Sequence, residues 1–177
     1  MSILKVARMG HPVLRAQARA LDRADIKNPI VQKLIDDMID TMLEYRGVGL
    51  AAPQVHEGLR LFVAVLDEGD DRDVAREPVV VINPEISRVG SDVVEGWEGC
   101  LSIPDVRGRV PRAKEIKVRA LDRRGERMEL DARDFPARVI HHEADHLDGV
   151  LFFDRMNSFE SLTFLDEYAR FWARDDE

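Results

Sequence analysis

The segment His142-Glu143-Ala144-Asp145-His146 places two imidazoles four residues apart, with a carboxylate beside the first. On a helix, residues i and i+4 project from one face, so both histidines can bind one metal ion and Glu143 can act on a water held there. An open catalytic site takes three protein ligands and leaves a position for water. The chain's one cysteine, Cys100, is the candidate third ligand, and carboxylates such as Glu98 are weaker ones. The same cysteine could instead be a small buried apolar residue, or a nucleophile served by a histidine. Gly99 beside it lets backbone come close to a metal or a substrate. Asp145 lies off the line joining the two histidines. If buried, it needs a cationic partner, and Arg112 or Arg109 is the expected one.

A second segment, Gly47-Val48-Gly49-Leu50-Ala51-Ala52, imitates the glycine-rich dinucleotide fingerprint. That fingerprint needs a strand before it and a helix after it. Here a helical pattern precedes it, and Pro53 opposes a helix starting there. The segment reads instead as a tight backbone connection that presents the side-chain amide of Gln54.

These residues need elements to hold them. Residues 1–25 read as irregular, with Gly10 and Pro12 as breakers. A helix begins with Asn28 as cap and Pro29 in its first position. Val31, Leu34, Ile35, Met38, Ile39 and Met42 recur at helical spacing, and Gly47 terminates it. Strands are expected over 60–67 and 78–86, with the charged run 67–77 as an exposed loop between them. Residues 115–122 and 127–130 form a hairpin about the Arg123-Arg124-Gly125 turn. A helix over 134–147, capped by Asp134 and ended by Gly149, carries Val139, His142, Glu143 and His146 on one face. A last helix over 160–173 presents Leu162, Leu165, Tyr168, Phe171 and Trp172 as an apolar surface for core packing. Strands joined by turns outnumber helices. The expected fold class is therefore α+β: mainly antiparallel sheets around a central metal-binding helix, with one helix in the N-terminal half and one at the C-terminus.

The chain has 177 residues, 45% of them hydrophobic and 34% charged, with a net charge of -8. That length suits a single domain over 1–177, and the charge argues against a nucleic-acid reader or an anionic-membrane footprint. The first residues lack the apolar core of a signal peptide, and no segment approaches a membrane span. One cysteine cannot form an intrachain disulfide, so a reducing cytoplasm is the expected compartment.

Taken in order, three motifs resemble peptide deformylase: the glycine-rich segment ending at Gln54, the run Glu98-Gly99-Cys100-Leu101-Ser102, and the histidine helix with Asp145 before its second histidine. The resemblance extends from Gly10-His11-Pro12 to Phe153. It implies that Cys100, His142 and His146 bind one divalent ion. Fe(II) is the physiological ion it implies, with Zn(II), Ni(II) or Co(II) able to replace it; donor affinity alone would favour Zn(II). It implies Glu143 as general base and acid, and Gln54 with the backbone N–H of Leu101 as the oxyanion site. Substrate contacts follow at Val48 and Gly49, whose backbone pairs with the peptide, and at Gly99 and Arg107, with Val139 and Leu101 as walls of the methionine pocket. The implied partner is the N-formyl-methionyl nascent peptide, with a transient ribosome contact. Two features depart from the pattern. His141 stands where such proteins commonly have Gln, and is expected to point away from the ligand face. The tail Arg174-Asp175-Asp176-Glu177 is acidic, which argues against docking on the ribosome through a basic C-terminal helix. Two other readings compete: a zinc peptidase drawing its third ligand from Glu160 or Glu167, and a non-catalytic protein whose structural metal is closed by Glu98 or His141.

Overall fold

The computed structural model describes residues 2–66 and 77–173. The expected loop over 67–77 lies almost wholly outside the described residues, as does the acidic tail. After a 3-10 turn at Pro12–Arg15, the elements follow as α1 (Arg23–Ile26), α2 (Pro29–Glu44), β1 (Gly49–Ala51), β2 (Leu61–Ala64), β3 (Val79–Arg88), β4 (Val93–Cys100), β5 (Ile103–Ala113), β6 (Glu115–Leu121), β7 (Arg127–Arg133), α3 (Asp134–Leu147), β8 (Thr163–Phe164) and α4 (Leu165–Phe171). All strand pairs are antiparallel. They make a five-stranded sheet, β1-β2-β3-β6-β7, and a three-stranded sheet, β4-β5-β8.

Helix α2 begins as its sequence dictates. The Asn28 side chain accepts from Ile30 N–H at 2.9 Å, and Pro29 occupies a position that needs no donor. The helix ends differently from expectation. Arg46, not Gly47, takes the left-handed conformation (φ 55°), and Gly47 N–H closes the turn on the Met42 carbonyl at 2.8 Å. Gly47 answers another need, since a Cβ there would lie 3.0 Å from Leu101 Cδ1.

The core explains why β2 reads as an unbroken apolar run. Leu61 and Val63 pack with Ile35, Met38 and Met42 of α2, while Phe62 and Ala64 pack with Ala137, Val139 and Ile140 of α3. Alternate residues of one strand thus serve opposite faces, both covered by a helix. A third cluster, including Leu14, Ile103, Val110, Leu151 and Phe152, fastens the three-stranded sheet to the segment after α3.

Four expectations are corrected. Residues 1–25 carry a 3-10 turn and the short helix α1. The hairpin β4–β5 was not foreseen, because its glycines, proline and charges mask alternation. Asp134 heads α3 with φ 52° and makes no capping hydrogen bond. The last helix is only Leu165–Phe171, preceded by the 3-10 turn Phe159–Ser161 and by β8. Its apolar residues are not core: Phe171 is 58% exposed and Trp172 45%. They form instead an outer aromatic cluster, with Tyr168 edge-on to Trp97 at 4.9 Å between ring centroids.

Candidate metal centre

Helix α3 supplies most of the centre. Phe135, Arg138, Val139, His142 and Glu143 follow i, i+3, i+4, i+7, i+8 spacing and border one cavity of about 600 Å3. The helix stops at Gly149 (φ 72°), where a Cβ would fall 2.6 Å from the Arg15 carbonyl oxygen, so only glycine fits.

Cys100 ends β4, where the ladder slips: Gly99 pairs with Arg107, yet Cys100 pairs with Ile103. Such an irregularity re-aims a side chain at a strand end. It brings Cys100 Sγ to 3.3 Å from His146 Nε2. The donor atoms of Cys100, His142 and His146 all lie within 4.8 Å of one another, and these are the only three His, Cys, Asp or Glu residues so grouped among the described residues. A divalent ion held by one thiolate and two imidazoles at about 2.0–2.3 Å needs donors separated by about 3.5 Å, so the set fits such an ion. Burial alone would push the Cys100 thiol up, but His146 and His142 beside it hold it well below its ordinary value, as a metal-binding thiolate requires.

The contacts around these three residues are only partly legible in the sequence. Glu98 stands outside the group of three. Its Oε2 lies 2.9 Å from His142 Nδ1, and Arg112 engages both of its oxygens at 2.8 and 3.0 Å. Burial works against its ionisation, but the Arg112 and His142 hydrogen bonds overcome it and keep the carboxyl far below the usual range. An ionised Glu98 accepts from Nδ1–H, which fixes the tautomer and leaves His142 Nε2 for the ion. Asp145 meets Arg112 at 2.6 Å as anticipated, whereas the expected alternative Arg109 contributes only its backbone N–H, donated to Ser161 Oγ. A second cation, Arg155, adds a 2.7 Å contact to Asp145. Burial would raise the Asp145 carboxyl, and Arg155 and Arg112 together lower it.

Glu143 is buried against Gly49, where a Cβ would lie 2.3 Å from its Oε1. Its Oε2 has no hydrogen-bond partner among the described residues. Burial raises its carboxyl to about 7, against the opposing pull of His142 and His146. Gln54 is fixed by Ala51 N–H, which donates to Oε1 at 2.8 Å. Its Nε2 is thereby turned toward Ser102 Oγ at 3.3 Å and Cys100 Sγ at 3.5 Å.

Val48, Gly49, Gln54, Gly99, Leu101, Arg107 and Val139 border the same cavity as Cys100, His142 and Glu143, whereas His146 does not line it and is buried. His141 stands outside the ligand group, as expected; its Nε2 is buried and has no partner among the described residues. Glu160 and Glu167 are exposed and outside the group.

The sequence model of the polypeptide deformylase family matches residues 3–161. Peptide deformylase 2 of Nostoc sp. is 42% identical over 94% of this chain and 93% of its own. Peptide deformylase 1 of Bacillus subtilis is 45% identical over 90% and 93%. Among solved structures, the Thermotoga maritima peptide deformylase superposes with a TM-score of 0.80 at 39% identity, covering 89% of this chain and all of that one. The Met-Ala-Ser-bound Acinetobacter baumannii enzyme gives 0.80 at 41%, covering 88% and all of its chain. The chain belongs to the polypeptide deformylase family, metal-dependent hydrolases that remove the formyl group from nascent peptides.

Proposed function

We propose that residues 1–177 act as one catalytic domain in which Cys100, His142 and His146 hold a single Fe(II), replaceable by Zn(II), Ni(II) or Co(II), and Glu143 serves as general base and acid. The observation that carries this reading is the convergence of one thiolate and two imidazoles beside a buried carboxylate whose Oε2 has no partner among the described residues. Glu98 and His141 do not complete a four-ligand shell, which disfavours a purely structural metal. The exposure of Glu160 and Glu167 disfavours the peptidase reading.

A bound divalent ion supplies Lewis acidity and makes a water acidic enough to be deprotonated near neutral pH. The protein residues do the rest. Strand β1 is an edge of its sheet, so an extended peptide can add beside Val48 and Gly49. Arg107 and Gly99 flank the peptide, and Val139 and Leu101 wall the pocket for its methionine side chain. Glu143 Oε2 takes the proton of the attacking water and delivers it to the departing amine nitrogen, so that water and the formamide become formate and a free N-terminus. Gln54 Nε2 and the Leu101 N–H meet the oxyanion that develops at the formyl carbon, each donor lowering the barrier by about 3 kcal/mol.

The substrate is the formyl-methionyl nascent chain, met in the cytoplasm during transient contact with the ribosome. No helix among the described residues is long and apolar enough to cross a membrane. The test is formate release from formyl-Met-Ala-Ser by anaerobically purified protein, beside Glu143→Ala with matched metal content. Release that vanishes in the variant while its metal is retained supports the assignment. No release from metal-loaded wild type overturns it.

A further inference from the structure

Arg138 lies one turn before His142 on the cavity face of α3, and its side chain is only 12% exposed. Its Nη1 donates to the Val110 carbonyl at 2.7 Å, to Glu98 Oε1 at 3.0 Å and to the Gly96 carbonyl at 3.2 Å. Its Nη2 donates to the Val94 carbonyl at 2.8 Å. One guanidinium therefore bridges both strands of the β4–β5 hairpin and the carboxylate that orients His142. The strand makes room for it: a Cβ on Gly96 would fall 2.9 Å from Arg138 Cζ and Nη2. A side chain at 96 would force the guanidinium to shift from this position.

The division of labour at Glu98 gives this contact its consequence. Oε1 takes Arg112 Nε and Arg138 Nη1, and Oε2 takes Arg112 Nη2 and His142 Nδ1. Arg112 holds both oxygens from β5 as a two-bond fork. Arg138 approaches from the helix that carries His142 and ties that carboxylate to the helix as well. We propose that Arg138 is a positioning residue that locks Glu98, and through it the His142 ring, and so sets how tightly the centre holds its ion. Carboxylates that accept from the second nitrogen of a ligating histidine typically govern metal affinity over 10–100-fold. Arg138 acts one shell further out, where the sequence motifs of the centre do not reach.

The test compares wild type with Arg138→Met, Arg138→Lys and Gly96→Ala, each loaded with Zn(II) or Co(II). The readouts are chelator competition and the visible spectrum of the Co(II) form, independent of turnover. Arg138→Met is expected to weaken Zn(II) retention at least tenfold and to shift the Co(II) bands, with Arg138→Lys partly restoring both through its charge near Glu98. Arg138→Met with wild-type retention and spectrum overturns the proposal. Should that variant fail to fold, Gly96→Ala decides, because it displaces the guanidinium without removing it: weakened retention supports the proposal and wild-type retention overturns it. The inference rests on the metal reading of Cys100, His142 and His146, and wild-type protein that binds no ion overturns both.

Discussion

Gly49→Ala is the sharpest test of the geometry. Gly49 lies in β1 with no positive φ, so alanine fits its backbone and the substitution acts through its Cβ alone. That atom would sit 2.3 Å from Glu143 Oε1, 2.7 Å from Cδ and 2.8 Å from Cγ. Three consecutive atoms are engaged, so a rotation of the carboxylate cannot relieve the contact. The Glu143 side chain must retreat by about 1 Å to reach van der Waals distance. It has little room, being 3% exposed. A displacement of about 1 Å in a reacting group can lower the rate about 100-fold, equivalent to about 2.7 kcal/mol in the barrier. The backbone N–H and C=O of residue 49 survive, so peptide pairing at β1 is preserved. The expected result is kcat for formate release about 100-fold lower, with KM and metal content within a few-fold of wild type. A kcat within threefold of wild type, on a protein with matched metal, would refute the placement of Glu143 as the base.

Asp145→Asn leaves Arg112 buried with Glu98 as its one anion instead of two, and the loss should lower stability by about 1.5–3 kcal/mol, read as a fall in thermal midpoint. The metal-free protein should show two pH dependences of opposite sign. Glu98 and Asp145 have lowered carboxyl pKa values, so their contribution is present above their ordinary range near pH 4 and is lost as pH falls toward the depressed values. Glu143 is raised to about 7 by burial, so the folded state binds its proton more tightly and stability declines as pH rises from about 5 to 7. Glu143→Gln should flatten that second slope, measured by denaturant unfolding at each pH. An iron-loaded sample should lose formate release in air, whereas a Ni(II)-exchanged sample should keep it; air-stable activity with iron would argue against an Fe(II)–thiolate centre.

Much of the chemistry is legible in the chain because it resides in local spacing. Two histidines four apart in a helical pattern must share a face, and a glycine-flanked cysteine is free to approach them. The capped start of α2, the β6–β7 hairpin and the stop at Gly149 are equally local. Reading failed where long-range packing decides. The β4–β5 hairpin is built from Gly96, Gly99, Gly108, Pro104 and Pro111, a composition that hides alternation because the glycines are there for neighbours rather than for strand propensity. Gly96 accommodates Arg138, and Gly108 accommodates Met156, whose Cε would lie 2.7 Å from a Cβ. The final helix was overextended because apolar residues at helical spacing suit an outer aromatic cluster as well as a core.

The sequence by itself determined that two histidines four apart share a helical face with a carboxylate beside the first, since that follows from local spacing, while the roles expected of Cys100 and Gln54 came through the resemblance of three ordered motifs. Tertiary structure alone decided the coupling between them. Glu98 reaches His142 across 44 positions, Arg138 reaches Glu98 across 40, and Glu143 seats itself against Gly49 from another element entirely. The reason is that a buried charge must find partners wherever the fold brings them, and a close backbone approach is visible only from the side chain that fills it.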